Sequence, residues 1–228
     1  MALKLNVITV STRPTRVGPA ITKWFVDYAK AEVGDAFDVE NVDLASFNLP
    51  VFDEPKHPRF GDYEHAHTKA WSKSVDAADA FVFVTPEYNY GPPPSFVNAL
   101  TYLQREWQYK AAAFVSYGGV SAGLRGVQME KLLLTTFKVM PIFEAVPIPM
   151  AAEHLKDGVF DAKEIHTASA KMLLPVARSL TATETRAPSS AMAPRARYDA
   201  RNPGSRFSAR WRAAGGEPAW APGVRVRG

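Results

Sequence analysis

The sequence predicts an α/β protein: a five-stranded parallel sheet with helices packed on both faces. Three observations predict it. Apolar or β-branched runs of strand length recur through residues 3–148 and alternate with stretches of helical period. One run, Ala80-Phe81-Val82-Phe83-Val84-Thr85, is apolar almost end to end, the pattern of a strand covered on both sides. Three of the runs are followed by unusual loops, 11–18, 86–93 and 117–126, rich in Ser, Arg, Pro or Gly. In open parallel sheets ligands bind at the carboxyl ends of strands, which is where these loops fall.

Residues 3–10, Leu-Lys-Leu-Asn-Val-Ile-Thr-Val, make the first strand because branched side chains favour the pleat. Pro19 suits the first turn of a helix, where its missing N–H would have no partner. Ile21, Trp24, Phe25 and Tyr28 then share one face of that helix. Residues 37–44 alternate as a second strand, and 45–62, with Pro50, Pro55 and Pro58, read as a long loop. A helix over 64–79 precedes the apolar strand 80–85. The proline-rich loop 86–93 leads into a helix through about Arg105. Strand 110–117 and a glycine-rich loop follow, then a helix with Met129, Leu132, Leu133, Phe137 and Met140 as its expected inner stripe. Strand 142–148 and a helix over about 161–174 complete the body, because helical periodicity stops at Pro175.

Composition narrows the function. With no cysteine, disulfide scaffolds, thiolate metal sites and cysteine nucleophiles are excluded. An apolar content of 46% is enough for a buried core, and no apolar run reaches membrane-spanning length. With no leader-like start, the reading is a soluble, cytoplasmic protein. The net charge of +4 is unevenly spread. Residues 175–228 hold 10 of the 27 basic residues and 3 of the 23 acidic ones, so the body 1–174 is slightly acidic. That body gives no reason to seek nucleic acid. The segment 175–228, rich in Arg, Pro, Ala and Gly and lacking Ile and Lys, is expected to be disordered. It reads either as a basic arm or as an unselected extension of the kind a shifted reading frame encodes.

The first loop, Ser11-Thr12-Arg13-Pro14-Thr15-Arg16-Val17-Gly18, joins a strand end to a helix start. Helix N-terminal N–H groups, two hydroxyls and two guanidinium groups suit a phosphate. The Walker and dinucleotide glycine patterns are absent, which favours one phosphate over a pyrophosphate. In the second loop, Pro86-Glu87-Tyr88-Asn89-Tyr90-Gly91, prolines hold the backbone and tyrosines offer a stacking surface for a planar ligand. In the third, Ser116-Tyr117-Gly118-Gly119, glycines allow close approach of a ligand to the backbone. Gly119-Val120-Ser121-Ala122-Gly123 also matches the nucleophile elbow of serine hydrolases, with Asp161 and His166 following in triad order. Ser121 is thus the alternative reading, an ester hydrolase, although Asp161 and His166 lie too near each other in sequence to relay well. His65 and His67 are expected to point apart on a helix and so not to form a metal pair. The five histidines read as surface or capping residues, and no metal site is expected.

Taken together, Ser-Thr-Arg-x-x-Arg after the first strand, Pro-Glu-Tyr-Asn with Asn98-Ala99-Leu100 beyond it, and Ser-Tyr-Gly-Gly resemble the NAD(P)H-dependent FMN reductase family, which includes quinone, azo-dye and chromate reductases. The resemblance covers residues 3 to about 174. It implies a flavodoxin-like three-layer sandwich with strand order 2-1-3-4-5. It implies FMN as cofactor, NADPH or NADH as hydride donor, a flavin, quinone or similar acceptor, and a homodimer or homotetramer. Ser11, Thr12, Arg13, Arg16 and the backbone near Gly18 would hold the FMN phosphate. Pro86, Glu87, Tyr88 and Asn89 would meet the isoalloxazine largely through backbone, and Ser116, Gly118 and Gly119 its pyrimidine end. The chemistry would belong to the flavin, with no catalytic side chain. Two departures stand out: Val10 where the family has Gly, and Pro175 where its closing helix continues.

Overall fold

The computed structural model describes residues 2–184. Five strands, β1 (Leu3–Thr9), β2 (Phe37–Asp43), β3 (Ala80–Pro86), β4 (Ala111–Tyr117) and β5 (Met140–Ile148), form one all-parallel sheet in the order β2-β1-β3-β4-β5. The order reverses between β1 and β3, which creates a crevice at their carboxyl ends. A two-residue hairpin, β6 (Leu155–Lys156) and β7 (Val159–Phe160), lies outside the sheet.

Alternation along the strands sorts the core into two layers. Leu5, Val7, Val82, Val84, Ala113 and Val115 pack against α1 (Gly18–Val33) and α5 (Glu164–Glu184). Ile8, Phe81, Phe83 and Phe114 pack against α2 (Ala66–Asp76), α3 (Pro94–Thr101) and α4 (Leu124–Thr136). β3 and β4 are buried at every residue, as the apolar run demands. The second layer is aromatic-rich. Trp71 and Trp107 meet edge to face, and the Trp71 indole N–H donates to Ala99 O at 3.0 Å. Fully burying each such ring contributes about 2–3 kcal/mol.

Several expectations are corrected here. The last helix does not stop at 174: α5 runs through Pro175 to Glu184. Proline removes one backbone hydrogen bond, but Leu173, Leu174 and Ala177 on either side of it are buried against the sheet and hold the helix together. Residues 185–228, on which most of the basic segment falls, lie outside the described residues. The inner stripe of α4 is Gly126, Val127, Glu130 and Leu134; of the expected residues, Leu133 and Phe137 are partly buried against the same layer, Met129 and Leu132 are exposed, and Met140 belongs to β5. The helix over 64–79 begins only at Ala66 and ends at Asp76, and α3 ends at Thr101 rather than near Arg105. The long loop is structured: Phe47, Leu49 and Phe52 pack on the aromatic layer. His65 therefore sits on extended backbone before α2, where residues two apart share a side. His65 and His67 consequently stack at 5.1 Å and both turn toward Asp53 instead of pointing apart.

Candidate functional site

The loops after β1, β3 and β4 occupy neighbouring sheet positions, and side chains tie them into a ring. Ser11 Oγ and Tyr88 OH are 2.9 Å apart, joining the first loop to the second. Ser121 Oγ donates to Glu87 Oε2 at 3.0 Å, joining the third to the second. A Cβ placed on Gly18 would lie 2.9 Å from Tyr117 OH, so the start of α1 and the end of β4 touch directly. Gly18 is thus required by contact with a neighbouring side chain, a reason that its place in the phosphate loop did not disclose.

The first loop presents donors without acceptors. Among the described residues, the N–H groups of Thr12, Arg13, Thr15, Val17 and Gly18 make no hydrogen bond within the chain. α1 begins at Val17 with no side-chain cap. Unpaired N–H groups and the positive end of the helix dipole make this an anion site. Arg16 is half in place for it. One terminal nitrogen is held by Asp43 at the end of β2, at 2.5 Å, and the buried Nε has no partner. Arg13 and Thr12 project into solvent. Val10 does not crowd the loop: its side chain is buried under α3, its N–H donates to Val84 O, and its carbonyl accepts from Ser95 Oγ.

Residues 88–91 form a tight hairpin turn. Tyr88 N–H donates to Gly91 O at 3.0 Å and Gly91 N–H returns to Tyr88 O at 2.9 Å. Asn89 and Tyr90 both have positive φ, 51° and 70°, which is costly for a tyrosine. Compensation comes from Arg125, whose guanidinium carbon sits 3.6 Å from the Tyr90 ring centre. The N–H of Glu87 is spent on Tyr117 O and that of Tyr88 on the turn, so the free donors here are those of Asn89 and Tyr90. The Glu87 carboxylate points away from the sheet edge into α4. It pairs with Arg125 and accepts from the N–H groups of Arg125 and Gly126, acting as an N-terminal anchor for that helix. Burial pushes the Glu87 carboxyl up, but Arg125, Ser121 and the Gly126 N–H together hold it below the usual range. Gly126 is a further packing requirement, since a Cβ there would meet Gly91 O at 3.0 Å.

In the third loop, Ser116 is fully buried and its Oγ has no partner. Gly118 lies against Gly123, and Gly119 faces open space. Tyr117 is the residue that motif reading missed. Its side chain is 5% exposed and its hydroxyl is unpartnered at the mouth of the first loop. Burial raises its pKa, while the neighbouring Ser11 hydroxyl and the charges of Arg13 and Arg16 pull the other way. Arg125, Gly123 and Gly126 also escaped, because their signals are contacts and torsions rather than motif letters.

The hydrolase alternative is not supported. Ser121 Oγ bonds to Glu87 and Arg125. His166 lies among Trp24, His154 and Phe160, and its Nδ1 accepts from Lys163 N–H. Asp161 is taken by Lys156 and Lys163. None of the three touches another. A cleft of about 1000 Å³ opens beside the first loop, between α3 and residues 44–52, with Thr12 at one end. Asn98 fixes its wall by donating to Pro50 O at 2.6 Å and accepting from Phe52 N–H at 3.0 Å. Among the described residues no cluster suits a metal ion, and no helix is long and apolar enough to cross a membrane.

Comparison with known proteins agrees with this geometry. Residues 3–153 match the family model described as NADPH-dependent FMN reductase. The chain is 38% identical over 161 residues to an NAD(P)H-dependent FMN reductase of Schizosaccharomyces pombe, covering 69% of this chain and 78% of that protein. It is 34% identical over 165 residues to an NAD(P)H-dependent FMN reductase of a Nectria species, covering 68% and 82%. A solved flavoenzyme NAD(P)H:(acceptor) oxidoreductase from Paracoccus denitrificans shares the fold, with a TM-score of 0.64 at 19% identity over 80% of this chain and 99% of that one.

Proposed function

This chain belongs to the NADPH-dependent FMN reductase family of oxidoreductases, and on that premise we propose that it binds FMN across the three loops and uses NAD(P)H to reduce a small flavin- or quinone-like acceptor. The observation that carries the placement is the set of donors left without partners: the N–H groups of Thr12, Arg13, Thr15, Val17 and Gly18, Arg16 Nε, Tyr117 OH and Ser116 Oγ. Buried polar groups are usually paired, and unpaired Arg16 Nε, Ser116 Oγ and Tyr117 OH gathered with free N–H groups at the carboxyl ends of the strands fit a phosphate and a polar ring. FMN, when bound, supplies the chemistry: it takes up a hydride from the nicotinamide and delivers two electrons to the acceptor.

The chain's own residues bind and orient. Ser11, Thr12, Arg13 and Arg16, with the N–H groups up to Gly18, hold the phosphate. Pro86, Glu87, Tyr88 and Asn89 carry the turn that faces the ring. Asn89 offers a free N–H, while Glu87 acts through α4, holding that helix and the turn together. Ser116, Gly118 and Gly119 line the far end, where the open side of Gly119 admits close approach. No side chain need transfer a proton. The test is an absorbance titration of the purified protein with FMN, followed by anaerobic NADPH and NADH. Bound flavin whose visible bands bleach is the expected result. A protein that leaves FMN free at micromolar concentration removes the reading.

We also assign the chain to a homo-oligomer. Met129 and Leu132 on α4 and Phe143 on β5 are large apolar side chains left exposed, and Met129 lies beside the turn, its sulfur 3.7 Å from the Cβ position of Gly91. Sedimentation of a monomer at micromolar concentration would refute it.

A further inference from the structure

Glu130 is the titratable residue on the inner face of α4, and nothing in the proposed flavin site uses it. Its side chain is fully buried. Oε1 accepts from Thr85 Oγ1 at 2.6 Å, and Oε2 has no partner. Among the described residues no cation serves it. Arg125, on the same helix, is committed to Glu87 and the Tyr90 ring. Lys131 turns outward to Phe143, and Glu144 on β5 acts on Lys131. Glu87 and Tyr88 in the adjoining turn have partners of their own. β3 and α3 carry no titratable side chain, and the tyrosine of β4 faces the opposite core layer. A carboxylate with one hydroxyl donor, no cation and no water-exposed surface cannot stay charged, so Glu130 holds a proton. Burial pushes its pKa up to about 8, against a downward pull from the Thr85 hydroxyl.

Its position gives that proton a role. Thr85 directly precedes Pro86, where the turn begins, and Gly126, one helical turn before Glu130, lies against Gly91 O. α4 is therefore fastened to residues 85–91 twice, by the charged Glu87 anchor at its N-terminus and by the neutral Glu130–Thr85 bond one turn further in. An ionised Glu130 must reach water, and the way out is to part α4 from the end of β3. Resting on the flavin reading above, we propose that Glu130 is a positioning residue for the cofactor: as the neutral acid it seats α4 against the flavin-facing turn, and loss of its proton unseats the turn and releases FMN.

The test is FMN affinity, read by quenching of flavin fluorescence on the full chain from pH 6 to pH 9, in the wild type and in Glu130→Gln, which mimics the neutral acid. Wild-type affinity is expected to hold at neutral pH and to fall above about pH 8, by up to about tenfold per pH unit, the limit for one linked proton. E130Q is expected to match the wild type at pH 6 and to stay flat. Parallel profiles in the two proteins, or loss of FMN by E130Q at pH 6, would overturn the inference while leaving FMN binding intact. Should neither protein bind FMN at any pH, the cofactor reading itself fails and this one falls with it. If E130Q does not fold, Thr85→Val takes its place. Removing the donor takes away the bond that seats α4 and also disfavours the ionised acid, so FMN should bind more weakly at pH 6 and the fall should move to higher pH; unchanged affinity at pH 6 with an unmoved fall overturns the inference.

Discussion

A tyrosine hydroxyl buried beside a helix N-terminus and left unpaired is a costly arrangement unless an anion meets it. Tyr117 is in that position, with Gly18 pared back to admit it. Tyr117→Phe keeps the ring and removes the donor. A hydrogen bond to a charged group contributes about 1.5–3 kcal/mol, so FMN should bind about tenfold or more weakly to the variant. Riboflavin, which lacks the phosphate, should bind both proteins alike, and an equal loss for both ligands would place the hydroxyl elsewhere. At this scale the sequence was legible where chemistry is written in residue type. Ser11, Arg13 and Arg16 read as a phosphate loop by residue type, a reading the unpaired N–H groups around them support, while Arg16 also pairs with Asp43. Glu87 was legible as part of a motif but not in its use, since only the coordinates bring its carboxylate to the N–H groups of α4. The stacked His65 and His67 show a related limit: a two-residue difference in where the helix starts reverses the facing of the pair.

At the scale of the element, α4 shows how periodicity can be right in kind and wrong in phase. Met129 and Leu132 offered large apolar side chains, yet they face out and Glu130 faces in. The helix is oriented by Gly126 against the turn and by Glu87 at its end, contacts that outweigh the hydrophobicity of any one stripe. Glu130 should then tax the fold in a pH-dependent way. Its folded pKa of about 8 lies above the ordinary 4.5. Between those values the unfolded chain has released the proton and the folded chain has not, so stability falls as pH rises from about 4.5 and levels off above about 8. The loss amounts to a few kcal/mol at order of magnitude. Without FMN, Glu130→Gln should unfold at a higher temperature than the wild type at pH 8 and lose most of that gain at pH 5. A gain equal at both pH values would show that the acid is charged in the fold. α5 offers a milder lesson: a proline marks a lost hydrogen bond, and whether the helix ends there depends on the burial of the residues around it.

For the whole molecule, the sheet was the most legible feature, because a parallel sheet buried on both faces leaves few ways to write its central strands. The order of the strands was not in their composition; it followed from the loops that resemble a family and is the order found. Helix boundaries within the body were less legible, since they depend on which neighbours each turn meets. The sheet also ends somewhere, and on one side it ends at β5, whose Phe143 is 90% exposed. An open, apolar edge invites stray strands to add to it, the first step of aggregation. Met140 N–H bonds inward to Lys110 O, so the ring nitrogen of Pro141 falls on the outer side, where a donor for an added strand would otherwise stand. Pro147 lies near the other end of the same strand. The prolines make this border a poor template for amyloid-like growth while leaving its apolar side chains free to meet a matching surface.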